Sequence, residues 1–339
     1  MNAATPIDRD LALLNDWQRG FPLVERPFAV LADALGTDEA DVLARCAALQ
    51  QAGTISRIGA VFSGGAGGAA LLAAMAVAPE RLDAVAAIVS AHAGVNHNYA
   101  REHRYNLWFV MTGGSAAAVE AAMRALEADT GCAALRLRML RAYHIDLGFC
   151  LADAPRAGEA PRDAGATRPD ALDAALAVDA ADRPLAALAE QGLPIVSRPY
   201  AAWAERLQGD EADVRARLAA WIEAGVVRRF GCIVRHHELG IAANAMTVFD
   251  VPDDMVDAFG AQLALQPGVT LAYRRTRDGD WRHNLFCMVH GESRDAVRGL
   301  IDAAIAGAGL AAYHPRVLFS TRRYKQTGAR RFRDALPAA

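Results

Sequence analysis

The stretch Gly94-Val-Asn-His-Asn-Tyr-Ala-Arg-Glu-His-Arg-Tyr-Asn-Leu-Trp-Phe109 concentrates the polar chemistry of this chain. His97, Tyr99 and Arg101 lie two residues apart, so on a regular strand they share one face. A strand that only packed would carry apolar groups there; an imidazole, a phenol and a guanidinium point instead to a lined pocket. His97 and His103 are the candidates for proton transfer, because imidazole titrates closest to neutral pH. Tyr105, Asn106 and Trp108 follow as candidate substrate contacts. A second stretch, Val269 to Asn284, repeats the pattern with Tyr273, Arg274, Arg275, Trp281 and Asn284, but has Leu271 where His97 stands. One copy is therefore expected to supply proton-transfer groups and the other cationic clamps. Two C-terminal segments also match. Arg136–Asp146 offers Arg138, Arg141 and His144, and Leu318–Lys325 offers Arg322 and Lys325, with His144 answering Lys325. Arginine forks carboxylates in two places at once and lysine acts as a point charge. So many cations predict a polyanionic ligand.

The elements that must position these residues come from a duplication. Gly20-Phe-Pro-Leu-Val-Glu-Arg-Pro-Phe28 recurs as Gly192-Leu-Pro-Ile-Val-Ser-Arg-Pro-Tyr200, and Asp38-Glu-Ala-Asp-Val42 as Asp210-Glu-Ala-Asp-Val214. Ala52-Gly53 and Ile58-Gly59 return as Ala224-Gly225 and Phe230-Gly231 at the same offset. Each copy opens with three short helices, in the first Arg9–Gln18, Phe28–Leu35 and Glu39–Gln51. An alternating run, Thr54–Phe62, follows, and together these read as a winged helix-turn-helix. The remainder reads strand–helix–strand–strand–helix–strand: Leu71–Val77, Glu80–Ala91, Val95–Tyr99, Asn106–Met111, Ala116–Asp129 and Ala134–Leu140. In the second copy the same run is Ala245–Val251, Asp254–Leu265, Val269–Arg275, Asn284–Val289, Arg294–Ala306 and Ala311–Phe319. The predicted fold class is α+β, a tandem of winged helix-turn-helix plus ferredoxin-like βαββαβ units. Expected bounds are 1–63 and 64–150 for the first copy, a linker at 151–175, then 176–236 and 237–330. Each sheet has one uncovered face, which the two sandwiches are expected to cover by pairing as a pseudo-dimer.

Several function classes are disfavoured. The 339 residues carry 36 Lys and Arg against 39 Asp and Glu, a net charge of −3, unlike the basic footprint of a nucleic-acid coat. The reading helices of both copies begin with acids, Asp38-Glu39-Ala40-Asp41 and Asp210-Glu211-Ala212-Asp213. Acids suit the helix dipole but oppose a polyanion, and no base-reading Arg, Lys, Asn or Gln stands there. Sequence-specific nucleic acid is therefore not an expected partner. The five cysteines form no C-x-x-C pair, and a reduced, cytoplasmic setting is the natural reading. The start lacks a basic, apolar leader, and apolar runs such as Ala69–Ala78 are too short to span a bilayer. His92 reads as a helix cap or surface residue. His290 and His314 read as structural, and His236-His237 lacks a third ligand for a metal. Gly64-Gly65-Ala-Gly67-Gly68 lacks the strand-to-helix setting of a phosphate loop and reads as a turn. Trp108 and Trp281 suit packing or an aromatic wall against a flat ligand.

The two-part unit resembles the Lrp/AsnC regulators. More specific stretches resemble the siroheme decarboxylases: Pro22–Phe28, Arg57-Ile-Gly-Ala-Val-Phe62, His97–Phe109, Tyr273-Arg-Arg275 and Asn284–Gly291. The resemblance covers nearly the whole chain outside the linker, and the copies look like two subunits fused. The second copy departs at His283, where tyrosine is expected before the asparagine. The resemblance implies removal of two acetate carboxyls from siroheme to give didecarboxysiroheme. Histidine is suited to general acid catalysis of that step, and arginines to docking the other carboxylates. It implies no cofactor and no metal of the protein's own, the iron being carried by the substrate. Siroheme is the implied ligand, with other heme-biosynthesis proteins and a homodimer left open as partners and no membrane partner. The alternative is a ligand- or heme-responsive transcriptional regulator of the Lrp/AsnC type.

Overall fold

The computed structural model describes residues 6–145, 177–234 and 243–335. The first copy runs α1 (Pro6–Asp16), α2 (Pro27–Leu35), α3 (Glu39–Gln51), β1 (Ile55–Phe62), β2 (Ala69–Met75), α4 (Leu82–Ala91), β3 (Val95–Arg101), β4 (Leu107–Gly113), α5 (Ala116–Thr130), β5 (Ala134–Leu137) and β6 (Met139–Ile145). The second runs α6 (Arg183–Gln191), α7 (Pro199–Leu207), α8 (Glu211–Glu223), β7 (Val227–Val234), β8 (Ala243–Phe249), α9 (Val256–Ala264), β9 (Val269–Arg275), β10 (Leu285–Gly291), α10 (Arg294–Gly307) and β11 (Arg316–Gln326). Helix boundaries follow local chemistry. Pro27 and Pro199 sit in the first turns of α2 and α7, where proline's missing donor costs nothing. Asp38 caps α3 by accepting the Asp41 amide at 2.7 Å, and Ser115 and Ser293 cap α5 and α10 in the same way.

The two winged-helix units form one block. Their wing strands pair antiparallel, with Gly59 opposite Gly231. Each unit's first helix ends over the other unit's wing: the Cys232 amide donates to the Trp17 carbonyl at 2.7 Å, and the Leu193 amide to the Ile58 carbonyl at 2.6 Å. This close approach explains the repeated glycine. A Cβ on Gly59 would lie 2.6 Å from the Ala189 carbonyl oxygen, and one on Gly231 would run into the Trp17 carbonyl. One hydrophobic core, including Phe28, Leu31, Tyr200 and Trp203, serves both copies.

Each remaining half is a ferredoxin-like unit, with strand orders β5-β2-β4-β3 and β11-β8-β10-β9. The helices cover the outer faces through two separate cores. The inner faces meet each other through Leu72, Trp108, Leu137, Met246, Tyr273, Trp281, Phe286 and Leu318, so the expected pseudo-dimer of sheets is what forms. The fourth strands differ from expectation. Rather than stopping at Leu140 and Phe319, each crosses into the other copy's sheet. β6 pairs β9, while β11 pairs β8 over Arg316–Phe319 and then β3 over Ser320–Gln326. The polar run Ser320-Thr-Arg-Arg323 mimics a strand end in sequence, but it is the crossover itself. Spatially, β6 and the second part of β11, Ser320–Gln326, therefore belong to the opposite unit.

Candidate active site

On β3, His97, Tyr99 and Arg101 do share one face. The His97 and Tyr99 rings stack at 6.4 Å, and the Arg101 guanidinium lies 5.6 Å from the Tyr99 ring centre. Arg101 is buried and donates to the Leu318 carbonyl at 2.9 Å. The pseudo-twofold repeats this on β9. Arg275 lies 4.5 Å from the Tyr273 ring centre and donates to the Leu137 carbonyl at 2.9 Å. Burial lowers the pKa of both guanidiniums, Arg101 to about 10. Arg101 also feels the Tyr273 phenol of the opposite copy, which joins the two halves electrostatically. Among the described residues no carboxylate pairs with either arginine, and the Arg275 Nε has no partner. Two enclosed cations without counter-charges are costly unless an anion is brought to them.

The asymmetry read from sequence is present. Leu271 lies opposite Met288 in the second copy, where His97 lies opposite Val110 in the first. The crossover of β11 adds two residues that sequence reading missed: Arg323 opposite Tyr99, and Gln326 opposite His97. Arg323 donates to Gln326 at 3.2 Å, and its charge lowers the Tyr99 pKa against a larger upward push from burial. Ala142 and Ile145 stand opposite Tyr273 and Leu271. The polar constellation is thus complete on one side of the pseudo-axis only. Burial pushes the His97 pKa down to about 4, so the ring is neutral at pH 7 before a ligand arrives.

A second group of rings lies beyond Arg101. His103 meets Trp281 edge-on at 5.4 Å and stacks with Tyr105 at 6.0 Å. Trp281 also contacts Trp108 at 5.0 Å and His283 at 4.7 Å. The Tyr105 amide donates to His103 Nδ1 at 3.1 Å. Burial first, then the Arg104 charge, lowers the His103 pKa, and burial takes His283 to about 4. Trp281 Nε1 and His283 Nδ1 are buried without partners. Tyr273, Phe286 and Trp281 link this group to the arginines in a continuous run of rings.

Other expected contacts have different employment. Asn106 holds both the amide and the carbonyl of Val77, and Asn284 does the same for Val251. They brace equivalent corners of the two copies. Bulges in β6 and β11 break the simple alternation, which turns several cations towards the helices. Arg141 lies 3.2 Å from Asp257 and Arg322 lies 2.8 Å from Asp83; Arg274, on an unbulged stretch of β9, faces the helices by plain alternation with Tyr273 and Arg275 and lies 3.3 Å from Asp253. Lys325 donates to the Ser90 and His92 carbonyls at the end of α4, a favourable place for a cation. His144 lies opposite Ala272 in the register position of Lys325 opposite Asn98. Arg138 sits at the exposed β5–β6 bend, held through its backbone by Thr276. His92 accepts the Gly94 amide and His290 pairs with Thr270, both structural roles. His236 and His237 lie outside the described residues. Among those described, no cluster of three metal-ligating side chains exists and no helix is long and apolar enough to cross a membrane.

The acids that open α3 and α8 are engaged in ion pairs. Glu39, the first residue of α3, is paired with Arg26 and accepts from Ser197 of the other copy at 2.9 Å. Glu211, the first residue of α8, is paired with Arg198, which also faces Glu25 at 3.6 Å.

Winged-helix units fused to paired ferredoxin-like sandwiches define an AsnC-like architecture, and comparison with known proteins agrees. The pattern for the AsnC-like ligand binding domain matches residues 66–144 and 238–325, and that for the siroheme decarboxylase NirDL-like HTH domain matches 10–55 and 182–228. The siroheme decarboxylase NirDL subunit of Paracoccus denitrificans is 43% identical over 325 residues, covering 95% of this chain and 97% of its own. A siroheme decarboxylase of Hydrogenobacter thermophilus is 30% identical over 326 residues, covering 94% and 93%. The crystal structure of the siroheme decarboxylase NirDL in complex with an iron-uroporphyrin III analogue superposes with a TM-score of 0.68 at 27% identity, over 98% of this chain and 96% of that one. The chain belongs to the siroheme decarboxylase family.

Proposed function

We propose that this protein is a carboxy-lyase that removes two acetate carboxyl groups from siroheme, giving didecarboxysiroheme. The observation that carries the reading is a pair of guanidiniums, buried Arg101 and half-buried Arg275, that no carboxylate of the described residues meets, set against His97 and Tyr99. Siroheme supplies the missing anions. Its peripheral carboxylates dock on the arginines, and that binding energy fixes the reacting acetate. The bond between methylene and carboxyl carbon breaks, carbon dioxide leaves, and the electron pair passes to the methylene and its pyrrole ring. A proton from the His97 imidazolium then completes the methyl group. The ring is neutral beforehand, so its proton is acquired when the substrate's negative charge arrives. No organic cofactor is needed, and the iron is part of the substrate.

The test is single-turnover decarboxylation alongside an absorbance titration of binding. His97→Ala is expected to slow the reaction about a hundred- to ten-thousand-fold, the usual worth of general acid catalysis, with siroheme still bound. His103→Ala, in the adjoining ring group, is expected to slow it too. Near-wild-type rates in both would place the proton donor elsewhere. Loss of binding together with rate would make the histidines docking groups instead.

A further inference from the structure

After β11 the chain leaves the sandwich and enters the winged-helix block. Phe332 is 3% exposed within that block's core and meets Phe62 edge-on at 5.0 Å. Its amide donates to the buried Glu190 carboxylate at 2.9 Å, and Arg331 donates to the Ser63 carbonyl at 2.7 Å. The glycine run that resembled a loose turn is the seat for this segment. Gly67 lies against the Phe332 ring, and a Cβ on Gly68 would collide with Arg331. Gly328 passes over the Arg57 guanidinium, with no room for a side chain. At its other end the segment reaches the site. The Thr327 amide donates to the Asn96 carbonyl at 2.7 Å, supported by the Thr327 hydroxyl at 3.3 Å. The Asn96 side chain is buried and lies 3.0 Å from His97 through its Oδ1 and the ring's Nδ1.

We propose that Thr327–Phe332 is a strap by which the winged-helix block holds Asn96, and that Asn96 is the positioning residue that fixes His97 with its proton on Nδ1 and Nε2 turned to the substrate. An amide oxygen only accepts, so the ring nitrogen facing it must carry the hydrogen. The second copy supports the pairing: Thr270 stands where Asn96 does, next to Leu271 rather than a histidine, and binds His290. The winged-helix block thereby has a task of its own, which is to anchor the catalytic edge. This inference deepens the decarboxylase reading and rests on it for its consequence in rate, though not for its geometry.

The tautomer can be read without turnover, by long-range proton–nitrogen correlation on protein labelled with 15N histidine and free of substrate. Wild type and Asn96→Asp should show His97 protonated on Nδ1. Asn96→Ala should lose that preference. Phe332→Ala, which unseats the strap but leaves Asn96 in place, should lose it too. Thr327→Pro removes both the amide and the hydroxyl donor to the Asn96 carbonyl and serves if Phe332→Ala does not fold. In single turnover Asn96→Ala and the strap variants should lose about tenfold to a hundredfold in rate, by analogy with the loss of the partner that orients a metal-bound histidine, while Asn96→Asp keeps most of it, with siroheme binding little changed in all. A wild-type ring protonated on Nε2 would overturn the proposal, as would an unchanged tautomer in Asn96→Ala and in the strap variants. Loss of the tautomer with an unchanged rate would uphold the positioning and refute His97 as the acid.

Discussion

Substrate binding should carry a proton into the protein. Burial holds the His97 pKa at about 4, so at pH 7 the free ring has no proton to give. A carboxylate brought to about 4 Å contributes about 4 kcal/mol at an effective dielectric of about 20. At about 1.4 kcal/mol per pKa unit this is close to three units, enough to lift the imidazole from about 4 to about 7. The sign follows: a group neutral before binding and about half charged afterwards at pH 7 takes up protons, most strongly between the free and bound pKa values. The assay is calorimetric titration with the iron-uroporphyrin III analogue at pH 7, in buffers of different ionisation enthalpy. The slope of apparent enthalpy against ionisation enthalpy gives the protons taken up. Wild type should take up about half a proton, and His97→Gln clearly less. Equal uptake by both proteins would refute the reasoning and move the titrating group elsewhere.

Arg101→Ala and Arg275→Ala should each weaken siroheme binding by about 1.5–3 kcal/mol, the range for a lost charged hydrogen bond. Arg274→Ala and Lys325→Ala, whose charges are met on the helix side, should change it little in the same absorbance titration. Because Glu39 and Glu211 head the reading helices and are held by Arg26 and Arg198, no sequence-preferring DNA binding is expected at physiological salt. A nanomolar footprint upstream of a heme-synthesis operon would restore the regulator reading.

The duplication and the fold were legible because the chain repeats its punctuation at one spacing. Pro27 and Pro199 open helices, Asp38 and Asp210 cap them, and Gly59 and Gly231 allow two backbones to touch. The face carrying His97, Tyr99 and Arg101 was legible from strand alternation. Bulges defeated the same rule on β6 and β11, and so cations assigned to the ligand, such as Arg141 and Lys325, turned out to face helices. Asn106 and Asn284 looked like ligand contacts because a side chain that braces backbone has the same polarity as one that binds substrate. Arg323, Gln326 and the strap were hidden for a topological reason. They meet His97 only because β11 crosses from its own copy into the other, a pairing across more than two hundred residues that no local pattern encodes.

Anaerobic incubation of the pure protein with siroheme, without any added cofactor, followed by mass spectrometry of the tetrapyrrole, tests the proposed activity most directly. The expected product has lost the mass of two carbon dioxide molecules and kept its iron. Siroheme of unchanged mass, recovered from correctly folded protein that had bound it, would contradict the proposal.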